Sequence, residues 1–368
     1  MNKYPYTHSH FILSLILILS GFGIVMMYSA SSIYAMNNFG NYMFFLTQQV
    51  KWLALGLTIM LMTSQLNYNF LKKIAYTLLI LSWMIMIFGY FFKGNNPAAR
   101  WLIINGRSWM TTSDLARLSL IIFTAFFIDK NKKQLNDWKF ILTNFIPFFI
   151  ITLLLILFQP DTSTAITISL IIMIMLFVSS VNKYLLLGIS FFGIIGLITK
   201  ILHTPHAISR IINWNDMQKI HSLNAFGTGG IFGSGLGDSI IKNGYLPQAH
   251  TDFILPIVGE ELGFMGILVV FVLFWLLYSQ GIKVMKEAPD LFSMLLSLGI
   301  IVSMMIYFII NAAYAIGLAP TTGLPMPFIS YGGSHTIFTL MSMGILLNIC
   351  RKGTTRKNGY YRGATYEI

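Results

Sequence analysis

Apolar runs of about membrane-span length alternate with short polar breaks along the whole chain, near residues 11–31, 44–63, 74–92, 113–128, 140–158, 162–180, 184–200, 254–279, 291–311 and 331–350. The pattern predicts an all-α integral membrane protein of about ten transmembrane helices, with a large outer loop between helices 7 and 8. The first run ends near Ser29-Ala30-Ser31, which mimics a signal-peptide cleavage site. Because every later run is also membrane-like, it is expected to stay as the first span.

Composition agrees: 56% of the 368 residues are apolar and only 10% are charged, where a soluble domain would carry roughly a quarter. That leaves no material for a soluble domain of any size, so residues 1–368 are expected to form one membrane domain. The outer loops fall at about 93–112, 201–253 and 312–330, and residues 351–368 make a basic cytoplasmic tail.

The net charge of +12 would suggest nucleic acid in a soluble protein. Here it orients the chain. With the N-terminus cytoplasmic, the inner segments hold Lys3, Lys72, Lys73, Lys130, Lys132, Lys133, Lys139, Lys183, Lys283, Lys286 and five cations of the tail, 15 of the 24 basic residues. An even number of spans then puts both termini in the cytoplasm. Seven of the twelve acids lie outside or at the outer edge, so chemistry is expected on that face, and nucleic acid drops out as a partner. The one cysteine, Cys350, excludes an internal disulfide and any Cys-based metal cluster.

Several polar stretches interrupt the apolar pattern. In Gln159-Pro160-Asp161-Thr162, proline ends one helix and Asp161 either caps the next or contacts a cation or substrate. Residues 227–237 hold six glycines in eleven positions, which reads as a tight turn or a close backbone contact to a ligand. Lys242, His250, Asp252, Glu260 and Glu261 follow within 20 residues. Two adjacent acids on a membrane helix need partners, so Glu260 and Glu261 are expected in structural ion pairs with arginines such as Arg100 or Arg117. His250 has no second histidine at ligand spacing and reads as a hydrogen-bonding group rather than a metal ligand. The stretch 320–334, with three prolines and three glycines, is a second rigid break. Non-helical backbone at membrane depth survives only when buried or lining a cavity, which points to a polar cavity open to the outer leaflet.

These segments resemble the SEDS family (shape, elongation, division and sporulation), the RodA-, FtsW- and SpoVE-type proteins of bacterial wall synthesis. Residues 246–254, Leu-Pro-Gln-Ala-His-Thr-Asp-Phe-Ile, are similar to the family's LPEAHTDFI, and residues 259–263 to its GEELG. Residues 320–334 are similar to PTKGLPLPFISYGGS, 159–165 to QPDLGTA, and Ala99-Arg100-Trp101 to ARRW. Gly235-Leu236-Gly237-Asp238-Ser239 resembles the division (FtsW) branch more than the elongation branch. Met110-Thr111-Thr112-Ser113-Asp114 stands where FQPSE is usual, and His335 where a small residue is common.

The resemblance implies a peptidoglycan glycosyltransferase that polymerises lipid II on the outer face of the bacterial cytoplasmic membrane. It also implies a class B penicillin-binding protein as transpeptidase partner and a divalent cation, Mg or Mn, with no organic cofactor. The metal's ligands stay open. The residue chemistry fits. A sugar hydroxyl attacking an anomeric carbon needs one carboxylate as general base, and Asp252 is the candidate. The leaving lipid pyrophosphate needs cations, for which Arg100, Arg210, Lys219 and Lys242 are the outer candidates. Trp101, Asp161, His250 and Ser330 complete the candidate substrate-binding set. Displacement of an α-linked pyrophosphate to give a β-linked glycan inverts the centre in one step. Two other classes remain open at this level: a lipid II flippase or other transporter, on the strength of broken helices and buried acids, and a non-catalytic divisome scaffold.

Overall fold

The computed structural model describes residues 7–91, 101–104, 107–179, 181–202, 217–242, 246 and 249–363. In chain order the elements are α1 (Thr7–Phe39), α2 (Phe44–Gln65), α3 (Tyr68–Phe91), β1 (Trp101–Ile104), β2 (Arg107–Thr111), α4 (Thr112–Lys130), α5 (Trp138–Asn144), α6 (Ile146–Phe158), α7 (Thr162–Val178), α8 (Lys183–Leu202), α9 (Met217–Gly229), α10 (Ile254–Lys286), α11 (Leu291–Ala315) and α12 (Gly333–Gly363). Every apolar run picked out in the sequence falls on a helix. Among the described residues six helices (α1, α2, α3, α10, α11 and α12) are long and apolar enough to cross a membrane, and α5 with α6 make a seventh if that bent pair is one span. The chain is thus a multi-pass, predominantly helical membrane protein. The 43° bend between α5 and α6 has a local cause in Pro147, which lacks an N–H and crowds the carbonyl one turn earlier.

Local chemistry sets several helix starts. Asp161 caps α7, its carboxylate accepting from the Thr164 N–H at 3.2 Å. At the start of α11, Asp290 accepts from the Ser293 N–H while the Ser293 hydroxyl answers the Asp290 N–H, a capping box. The helix α12 continues through residue 363, so much of the basic tail is helical rather than extended.

One expectation needs correction. The region 93–112 is not a plain loop: β1 and β2 pair antiparallel, Trp101 opposite Thr111 and Ile104 opposite Arg107, so the fold carries one hairpin besides its helices. The long connection 201–253, whose apolar residues call for short helices of its own, holds the helix α9, packed mainly on α10.

The core centres on α4 and α11. The helix α11 packs on α4, α7, α10 and α12 and is buried nearly all round, as a helix with lipid on no side should be. The helix α10 is broken at Gly263, whose φ of 66° and ψ of −164° leave the helix. That break frees carbonyls and N–H groups that need partners. The glycine-rich stretch supplies them: the Ser234 and Gly235 N–H groups donate to the Glu260 and Glu261 carbonyls at 2.9 and 3.0 Å, and the Gly230 and Ile231 carbonyls accept from Phe264 and Met265 at 2.9 and 3.1 Å. A side-chain carbon at Gly233 would lie 2.1 Å from the Glu261 carbonyl oxygen. The glycines are there so that two backbones can meet, a contact that neither the turn nor the ligand reading of the sequence anticipated.

Candidate active site

A cavity of about 410 Å³ opens at one end of the bundle, where α1 and α11 end and α2, α4, α7, α10 and α12 begin. Asp252, His250, Asp161 and Asp114 line it, together with His335 and an aromatic wall that includes Tyr34, Phe45, Trp52 and Tyr331. It holds acids in quantity and, among the lining residues, no lysine or arginine.

Asp252 stands two residues before the start of α10, ahead of its N-cap Phe253, and is half-buried. Its own carbonyl accepts from Asn311 Nδ2 at 3.1 Å and from the Tyr314 hydroxyl at 2.7 Å, and both of these groups also reach the Leu324 carbonyl. The Tyr331 N–H donates to the His250 carbonyl at 2.9 Å. Segment 250–252, the end of α11 and the 320–331 loop are therefore one hydrogen-bonded unit, which fixes the backbone under the carboxylate. Ser330 serves that loop: it lies outside the cavity lining, and its hydroxyl accepts from the Met326 N–H at 2.9 Å.

His250 sits among rings, 4.4 Å from the centre of Phe45, 5.5 Å from Tyr34 and 5.7 Å from Tyr331. Burial there lowers its pKa to about 4, so at neutral pH it is an uncharged wall of the cavity. Asp161 takes the capping role the sequence offered. It caps α7, accepts from the Ser113 hydroxyl at 3.1 Å and still lines the cavity.

Asp114, which the sequence reading did not select, anchors the floor. It takes the Arg117 guanidinium at 3.2 Å, the Thr111 hydroxyl and His335 Nδ1 at 3.4 Å. Arg117 also lies over the Tyr307 ring, 4.3 Å from its centre. Arg117 is thus in an ion pair as expected, but with Asp114 on its own helix.

Glu261 pairs instead with Lys242, at 2.8 Å and with both side chains buried. Ser29 donates to both Glu261 oxygens, and Lys242 also donates to the Gly237 carbonyl at 2.6 Å. Glu260 is held by the Ser239 hydroxyl and the Ile240 N–H, both donating to its carboxylate. The pairing with arginines expected for these acids is replaced because the 233–242 loop folds back over the break in α10 and brings Lys242 to Glu261 first. Lys242 is accordingly committed to that pair and lies outside the cavity lining. Lys219, on α9, lies against Gly317 beyond α11 and also outside the lining. Trp101 is on β1. Arg100 and Arg210 lie outside the described residues.

The cavity end of the fold can be placed among known proteins. The family described as cell cycle protein, which takes in FtsW, RodA and SpoVE, matches residues 9–355. A probable peptidoglycan glycosyltransferase FtsW of Geobacter sulfurreducens is 36% identical over 354 residues, covering 92% of this chain and 94% of the relative. The stage V sporulation protein E of Bacillus subtilis is 32% identical over 356 residues, covering 91% and 94%. Solved structures share the fold. The crystal structure of Thermus thermophilus rod shape determining protein RodA gives a TM-score of 0.69 at 23% identity, covering 93% of this chain and 96% of that one. A chain from a peptidoglycan synthase complex, described for its structural coordination of polymerization and crosslinking, gives 0.76 at 23% identity, covering 93% and 97%. The ordered motifs, the helical frame and these likenesses agree, and the chain belongs to the FtsW/RodA/SpoVE family.

Proposed function

We propose that the chain is a peptidoglycan glycosyltransferase that polymerises lipid II in the cavity beside Asp252. The observation that carries this reading is the position of Asp252: a half-buried carboxylate on a hydrogen-bonded backbone, facing a cavity large enough for part of a saccharide. Its carboxylate takes the proton of the attacking sugar hydroxyl. The hydroxyl oxygen bonds to the anomeric carbon as the carbon–oxygen bond to the lipid pyrophosphate breaks, inverting that centre. Of the remaining candidates for leaving-group charge, Lys219 lies outside the cavity lining, and Arg100 and Arg210 lie outside the described residues.

A divalent cation, magnesium or manganese, belongs to the proposal. Among the described residues no three His, Cys, Asp or Glu side chains gather as a protein-built metal site. An ion would therefore be shared between the Asp161 carboxylate and the phosphates of the substrate, in the manner usual for magnesium, and would supply positive charge to the leaving group. The wider setting is one membrane domain of ten spans in the bacterial cytoplasmic membrane with both termini cytoplasmic. A class B penicillin-binding protein crosslinks the product, a pairing supported by the likeness to the peptidoglycan synthase complex.

The transporter alternative loses its motive here, because the break in α10 is filled by the glycine loop and Glu261 is paired. Lipid II incubated with the purified chain and its transpeptidase partner should yield glycan polymer, and Asp252→Ala at equal membrane insertion should not. Full polymer yield from Asp252→Ala would overturn the assignment. Transbilayer movement of labelled lipid II without polymer would restore the transporter.

A further inference from the structure

His335 lines the cavity floor and is only 5% exposed. Its ring stacks on Tyr307, 5.3 Å between centres and 24° between planes. Nδ1 faces the Asp114 carboxylate, which is also held by Arg117 and Thr111. A carboxylate can only accept, so Nδ1 carries the proton. In a neutral imidazole this leaves Nε2 as a bare acceptor. Nε2 is buried and has no hydrogen-bond partner in the protein, a costly state for a polar atom in a cavity wall.

Such an atom selects its ligand by chemistry. Phosphate oxygens are acceptors too and cannot satisfy it, whereas a hydroxyl or an amide N–H can. Resting on the glycosyltransferase reading above, we infer that His335 Nε2 accepts a hydrogen bond from a hydroxyl or acetamido N–H of the bound amino sugar, a sugar-reading contact. Asp114 fixes the ring and its tautomer, as a carboxylate behind an imidazole does elsewhere. Asp252 and His335 then face one cavity in different roles, the first toward the reacting hydroxyl and the second toward a group that does not react.

The test is a binding titration of the full chain in detergent, followed by tryptophan fluorescence, since Trp52 lines the same cavity. Two probes are used, lipid II and undecaprenyl pyrophosphate, which lacks the sugar. His335→Asn keeps an amide where Nδ1 meets Asp114 and deletes Nε2. It should weaken lipid II binding about 5- to 20-fold and leave undecaprenyl pyrophosphate unchanged. His335→Gln, which returns an amide near Nε2, should recover most of the lipid II affinity. Wild-type lipid II affinity in His335→Asn would mean that Nε2 holds only water, and equal loss of both probes would mean that the residue is structural. Either result overturns the inference. If the Asn variant fails to fold, His335→Gln against His335→Met, similar in length but without the acceptor, gives the same comparison. Binding is scored without turnover, so a wild-type chain that binds lipid II through His335 but makes no polymer overturns the polymerase reading alone.

Discussion

Asp252 and Glu261 stand nine positions apart in one polar stretch, yet the first faces a cavity and the second is sealed inside the protein. Asp252 has its backbone held by Asn311 and Tyr314 while its carboxylate borders open space. Glu261 is 0% exposed, with Lys242 and Ser29 on its oxygens. The difference shows two settings for an acid in a membrane protein: one borders a cavity, where the proposed chemistry would use it, and the other is neutralised to hold a broken helix in shape.

The largest effect should come from the reactive end. Asp252→Asn should lower lipid II polymerisation by about 10²- to 10⁴-fold. Its unfolding midpoint in detergent should move far less than its rate, because asparagine keeps the size of the side chain and the backbone bonds of this residue to Asn311 and Tyr314. Next, Lys242→Met leaves Glu261 charged and unpaired in the interior, and should cost about 3–5 kcal/mol by denaturant unfolding. Adding Glu261→Gln to that variant should restore much of the loss. If Lys242→Met instead kept full stability and lost activity, Lys242 would be a substrate contact and the contrast would fail.

How much of this was readable beforehand follows from the range of the signals. Helix positions were legible because a twenty-residue apolar run is a local property. The hairpin was legible too and was passed over: Asn105-Gly106 between Trp101–Ile104 and Arg107–Thr111 is the commonest hairpin dipeptide. Asp252, His250 and Asp161 were found because motif and chain break coincide. Asp114 and His335 were not selected, since the cavity floor they share joins α4 to α12 across more than 200 residues and no local pattern announces it. The partner of Glu261 was missed for a related reason. Arginine elsewhere looked the natural counterion, while the glycine loop that delivers Lys242 read as a turn without a destination.

A smaller effect concerns pH. His250 has a folded pKa of about 4 against an ordinary 6.5, so the unfolded chain binds its proton first as pH falls. The stability from keeping this ring neutral is fully present above pH 6.5 and drains as pH falls through the window down to 4. Between pH 6.5 and 5 the loss should be at most about 2 kcal/mol, and His250→Phe should flatten that slope in unfolding curves taken across the range. The smallest effect belongs to the end of the bundle away from the cavity. Asp290→Ala removes the capping box of α11 and should cost about 1 kcal/mol in stability with polymerisation unchanged. A change in rate there would show that the two ends are coupled.

The clasp between the glycine loop and the break in α10 also has a kinetic side. Ser234 and Glu260 are bonded through their backbones, and Lys242 reaches Glu261, so the roughly 25 residues between them form a tether with its feet tied together. The carboxylate of Asp252 rides on that tether. In the proposed role as base, its effective molarity at the sugar hydroxyl would be set by how firmly the tether holds it, and a near-attack geometry is worth several kcal/mol of barrier. Loosening the clasp would dilute the base without moving a single cavity-lining residue in sequence, so variants at Gly233 or Gly263 should lower turnover while substrate affinity holds.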